Sequence, residues 1–178
     1  MNNDGEKARR ACGQVQIANI RRNHGLEHAV LHILSRRFPQ TPFAGHSDMK
    51  GFWLAGKVST DDLSDAVQEA FGRLRQGESA LAVHPNCGTN FVAAGSIAGG
   101  AALLALLGVG PRRRDKMERL PLAAALATLA LIVAQPLGVW LQASVTTSPD
   151  LGALSKLEIL PVMQGKITLH RVNTQYSR

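Results

Sequence analysis

Residues 91–110, FVAAGSIAGGAALLALLGVG, and residues 120–145, LPLAAALATLALIVAQPLGVWLQASV, decide the architecture, because neither stretch carries a charged side chain. At about 1.5 Å of rise per residue the first makes a helix of about 30 Å, the thickness of a bilayer's hydrocarbon core. The second crosses with some tilt and brings Trp140 to the depth where interfacial aromatics sit. They predict a transmembrane helical hairpin over 91–145, with spans 91–110 and 120–141, in a multi-pass protein of the cell membrane. Gly95, Gly99 and Gly100 leave room for another helix to approach the first span, and the second span is the expected neighbour. Pro136 reads either as a kink or as a tolerated proline, and it receives no role.

The loop between the spans, residues 111–119, reads PRRRDKMER and holds Arg112, Arg113, Arg114, Lys116 and Arg119. A short basic loop normally faces the cytoplasm. An arginine-bearing N-terminal region would then have to cross the membrane without a cleavable signal, since residues 1–16 are polar and read as a flexible lead-in. Orientation is therefore open at this point.

Composition narrows the functional classes. With 20 basic and 13 acidic residues the formal charge is +7, which suits anionic lipid or nucleic acid. Aromatic residues make up only 4% of the chain, which leaves few platforms for stacked bases, and no nucleic-acid motif is present. Nucleic acid is accordingly not an expected partner, whereas the lipid bilayer is. The two cysteines, Cys12 and Cys87, do not make a disulfide framework.

Residues 17–90 read as a small soluble α/β domain. A helix over 17–37 stops at Phe38-Pro39 and lines up Leu26, Val30, Ile33 and Leu34 on one face. A turn-rich stretch, 39–50, leads to a strand, GFWLAGKV. Ser59 and Asp62 open an amphipathic helix carrying Leu63, Val67, Ala70, Phe71 and Leu74, which closes at Gly77. A second strand is expected over Ala80–His84. In the C-terminal region, 146–178, the alternating runs Leu157–Met163 and Lys166–Val172 suggest a hairpin turning near Gln164-Gly165. An even number of spans returns the chain to its starting side, so these strands are expected to join the N-terminal sheet. The fold class is α+β.

The sharpest chemical signal is His24-Gly25-Leu26-Glu27-His28. Side chains four apart on a helix share a face, about 5–6 Å apart at Cβ, so both imidazoles can reach one metal ion. On a helical wheel they point away from the Leu26/Val30/Ile33 stripe, which argues against core histidines but leaves a plain solvated face open. His32, one turn on, belongs to that face or is an extra ligand. Before the first span, His84 and Cys87 stand three apart in His84-Pro85-Asn86-Cys87-Gly88-Thr89-Asn90, and the thiolate is a soft ligand that zinc favours. The plainer reading makes Pro85–Gly88 a tight turn, with Thr89-Asn90 capping the membrane helix. Three protein ligands with a water would make a catalytic zinc, whereas four would close the site. His46 and His170 read as surface residues, and Cys12 has no assigned role.

Four segments together resemble an uncharacterised family of bacterial integral-membrane proteins: Asn23-His24-Gly25-Leu26-Glu27-His28-Ala29, Gly51–Gly56, Ala82–Asn90 and Thr146-Thr147-Ser148. The resemblance covers roughly residues 20–160 and brings no activity with it. That family has alanine where this chain has Gly25, a change expected to cost under about 1 kcal/mol on a helix. The H-x-x-E-H run is also similar to inverted zinc peptidases, in which two histidines bind zinc and the glutamate acts as general base. Glu69 and Glu78 are the candidates for the further glutamate ligand that such enzymes carry.

Two functions are thus expected to compete. One is a membrane-anchored zinc protein, in its fullest form a small hydrolase or peptidase acting on a membrane peptide or lipid-linked substrate. Its ligands would be His24 and His28, completed by His84 or Cys87, with Glu27 as base. The other is a non-enzymatic membrane protein in which His24, His28, His84 and Cys87 form a closed structural site. Two spans without an intramembrane charge offer no ion path unless the chain forms a homo-oligomer.

Overall fold

The computed structural model describes residues 3–163 and 168–177, with side chains from residue 13 onward. They form two units, Met1–His84 with Ala143–Arg178, and Pro85–Gln142.

The first unit is α+β. Helix α1, Asn3–Arg37, begins well before the expected Ile17 and ends where Pro39 disfavours further helix. Strand β1, Ala44–Asp48, then turns through Met49-Lys50 into β2, Gly51–Gly56. At this turn Asp48 Oδ1 accepts the Lys50 N–H at 2.7 Å. Gly51 takes φ +142°, and a β-carbon there would strike the carbonyl oxygen of Val172, so only glycine fits. Helix α2, Thr60–Arg75, is capped by Ser59, whose hydroxyl accepts the Asp62 N–H at 3.0 Å.

Strands β3, Leu154–Met163, and β4, Thr168–Tyr176, complete a four-stranded antiparallel sheet of order β1-β2-β4-β3. The C-terminal strands do join the N-terminal sheet, and β4 lies directly on β2. The turn expected near Gln164-Gly165 falls outside the described residues. Phe52, Leu54 and Val172 from the sheet pack with Leu26, Val30 and Leu34 of α1 and with Leu63, Val67 and Leu74 of α2. At about 25 cal/mol per Å² of apolar surface removed from water, this burial is the main force holding the unit together.

Two further expectations fail in this unit. Residues 39–50 contain β1, which the sequence hides because Ala-Gly-His-Ser-Asp has no β-branched or large aromatic residue. The strand expected over Ala80–His84 is instead a 3-10 turn, Ser79–Ala82. Its Ala-Leu-Ala run favours helical geometry, and Leu81 and Ala82 are buried in the core cluster with residues of α1. With that strand gone, the strand–helix–strand layer gives way to a wholly antiparallel sheet.

The second unit is a pair of helices packed on each other, α3 (Gly88–Leu106) and α4 (Arg113–Leu141). The stretches Gly88–Leu106 and Arg113–Thr146 are each long and apolar enough to cross a membrane. The expected loop 111–119 is largely helical, since α4 starts at Arg113 and takes the basic cluster into its first two turns. Pro121 and Pro136 both lie inside α4. Phe91, Val92, Leu103, Leu104, Leu129, Ile132 and Val133 are exposed on the two helices, a greasy outer surface that water does not favour. At one end, buried Gln142 donates to Asn90 Oδ1 at 2.6 Å. Gly138 makes room, because a β-carbon there would lie 2.6 Å from the same oxygen.

Candidate metal centre

From Asn23 to Leu34 helix α1 is buried on nearly every side, with His24 and His32 only partly covered. His28 is 2% exposed, which excludes the solvated face that the wheel left open. The helix is wrapped by the sheet, α2, the Ser79–Ala82 turn and the segment 146–148. Along that last segment the Ser148 N–H donates to Arg21 O at 2.9 Å, and Arg21 Nη2 reaches Ser144 O at 3.0 Å. Gly25 is what admits it: a β-carbon there would overlap Ser148 O and come to 3.3 Å from Ala82 Cβ. The alanine variant expected to cost almost nothing therefore meets a backbone atom in this chain.

The histidines stand in a row. His24 and His28 ring centroids are 4.3 Å apart, His28 and His84 5.7 Å, and His32 and His84 4.7 Å. The ligand nitrogens of His24 and His28 lie within 4.8 Å of each other. His24 Nδ1 is 3.0 Å from Thr146 O and His28 Nδ1 is 2.8 Å from Ala82 O. A carbonyl oxygen only accepts, so each Nδ1 carries the proton and each Nε2 keeps its lone pair. Such a carbonyl contact is how metal-binding imidazoles are commonly oriented, and the donor set fits zinc.

Burial, and after it the His32 and His28 imidazoles, pushes His84 down to about 4. His84 is therefore neutral at pH 7, the form in which imidazole binds metal. Burial also lowers His170, which the sequence placed at the surface. It is fully buried on the helix side of β4, with Nε2 3.2 Å from Thr60 Oγ1. For both groups the unfolded chain takes up a proton near 6.5 while the folded chain resists. Their contribution is present above that value and is lost as pH falls from about 6.5 toward about 4. Chelator-treated protein should show a falling Tm over that window, and His170→Asn should flatten part of the slope. A Tm that does not change from pH 7 to 4.5 would contradict this.

Glu27 is 4% exposed and accepts the Ser47 hydroxyl at Oε2. It presses on β1 where Gly45 has no side chain, for a β-carbon there would run into the carboxylate. Glu69 and Glu78, the candidates for a further glutamate ligand, are both held in ion pairs with arginines. Glu69 pairs with Arg37 at 2.6 Å and Glu78 with Arg73 at 2.6 Å. The guanidiniums of Arg37 and Arg73, respectively, hold these carboxyls below their ordinary values. His46 is exposed.

Cys87 belongs to the second unit. It is the N-cap of α3, with Sγ 3.4 Å from the Thr89 N–H, so the cysteine and not Thr89-Asn90 caps that helix. Missed by the sequence reading was Asn23. Fully buried, it donates to Asp48 O at 2.8 Å and accepts from Thr174 Oγ1 at 2.8 Å and Tyr176 Oη at 2.7 Å. Its place in the row of motif residues was the available signal.

No solved structure matches this chain. It is 35% identical over 160 residues to an uncharacterised protein of Picosynechococcus sp. (strain ATCC 27264 / PCC 7002 / PR-6), covering 82% of this chain and 75% of that protein. Residues 19–159 match the family described as a domain of unknown function, DUF6391. That span takes in α1 from Asn19, the histidine row and both apolar helices, and the chain belongs to that family.

Proposed function

We propose that this is a membrane-anchored metal-binding protein, its helical hairpin crossing the bilayer and its α+β unit holding zinc. The observation that carries the metal is the His24/His28 pair, each imidazole pinned through Nδ1 to a backbone carbonyl. A pair of histidines one helical turn apart and oriented this way is costly to place here without a purpose, because the buried His28 ring displaces an apolar side chain from a packed core. His84 or Cys87 completes the set in this reading. Cys87 follows His84 by three residues, at most about 11 Å of chain, and α3 begins one residue later. A ligand set drawn from this stretch would keep the site within a short length of chain of the first span, and in this reading its substrate would be a membrane peptide or lipid-linked molecule.

The membrane half rests on the two apolar helices and their exposed leucine, valine and isoleucine side chains. Reporters fused to the two ends should appear on one side of the membrane, and opposite sides would remove the hairpin.

Zinc supplies either a closed staple or a polarised water, depending on the ligand count. The burial of Glu27 against β1, with Ser47 on its carboxylate, favours a structural over a hydrolytic role. Glu27→Gln should then leave metal content and Tm nearly unchanged. Should the parent cleave any of a panel of membrane peptides and Glu27→Gln lose that turnover while keeping its metal, the hydrolytic reading takes its place.

A further inference from the structure

We propose that His32 and His84 form a second, weaker divalent-cation position beside the His24/His28 pair. This rests on the metal-binding reading above and extends it from one ion to two. His32 lies one turn beyond His28, and its Nε2 is 2.8 Å from the carbonyl oxygen of Val83. As with His28 and Ala82 O, the carbonyl can only accept, so His32 Nε2 bears the proton and Nδ1 keeps the lone pair. Two successive carbonyls of one segment thus fix two successive histidines of α1, each with one nitrogen left to coordinate.

His84 is the partner that this geometry gives to His32. Their centroids are 4.7 Å apart with planes tilted by 54°, closer than the 5.7 Å between His84 and His28. One ion cannot serve the whole row. His24 and His32 are eight residues apart, about 12 Å along the helix axis. Zinc–nitrogen bonds are only about 2.0–2.1 Å, and both rings are tied in place by carbonyls at opposite ends of the row.

The two positions differ in character. The first pair includes His28, which is buried, whereas His32 and His84, like His24, are only partly covered. With two imidazoles and water in the remaining places, the second position should suit zinc or another imidazole-seeking divalent metal and release it readily.

The experiment is a zinc chloride titration of the full chain in detergent after removal of bound metal, with metal per chain counted after equilibrium dialysis. Two equivalents are expected, the second bound at least tenfold more weakly. His32→Gln with His84→Gln should lose the weak equivalent alone, and His24→Gln with His28→Gln the tight one. If the double variants do not fold, His84→Gln alone, at a partly exposed position, should still weaken only the second equivalent. One equivalent in the parent overturns the second position and leaves the first standing. So does a second equivalent indifferent to His32 and His84, or a His84→Gln variant that loses the tight ion. No bound zinc at all defeats the metal reading itself.

Discussion

His28→Ala should destabilise the α+β unit by about 3–5 kcal/mol and, on the proposed metal-binding reading, abolish zinc binding. The ring fills space in a core that is closed around it, so its deletion leaves a cavity, and the Ala82 carbonyl loses its donor at 2.8 Å. Loss of the metal then adds to the fold penalty, because binding energy is folding energy wherever the unfolded chain has no site. Urea unfolding with and without chelator separates these terms. The parent should lose stability on chelation, while His28→Ala should start lower and not respond. A variant that unfolds like the parent in both conditions would show that this histidine neither packs nor binds as described.

Asn23→Ala should cost a similar amount for a different reason, with metal affinity secondary. One amide serves α1, the β1–β2 turn and β4 through three hydrogen bonds of 2.7–2.8 Å. Removing it strands the Thr174 hydroxyl and the Tyr176 phenol, whose pKa burial already pushes up to about 12. Each buried group left without a partner costs about 1–3 kcal/mol, so about 3–5 kcal/mol in all is expected. Tyr176→Phe removes one bond and leaves the amide in place, so it should cost only about 1 kcal/mol. Thermal unfolding of the two variants beside the parent tests this. Equal, small losses would mean that the amide is not the hub joining the chain's two ends.

The apolar hairpin was legible because its signal is long: two uncharged runs of twenty or more residues leave little room for another reading. The joining of the C-terminal strands to the sheet was legible because an even number of expected spans returns the chain to its starting side. Strand β1 was not, for its side chains are small and polar and it forms only by pairing with β2. Ala80–His84 misled because a short apolar run has no period of its own. At the site, the spacing of His24 and His28 showed which pair could converge. What fixes them, the carbonyls of Thr146 and Ala82, lies 122 and 54 residues away and leaves no trace in a helical pattern. His170 looked like a surface residue because a lone histidine usually lies partly exposed, whereas here α2 covers that face of β4 and Thr60 meets its ring.

The most direct test is the metal content of full-length protein purified from membranes in mild detergent without added metal or chelator. We expect at least one zinc per chain in the parent, and none in the His24→Ala/His28→Ala double variant. A parent with less than a tenth of an equivalent of any transition metal, and no rise in Tm on adding zinc, would contradict the account and leave H-x-x-E-H as a hydrogen-bonded histidine cluster.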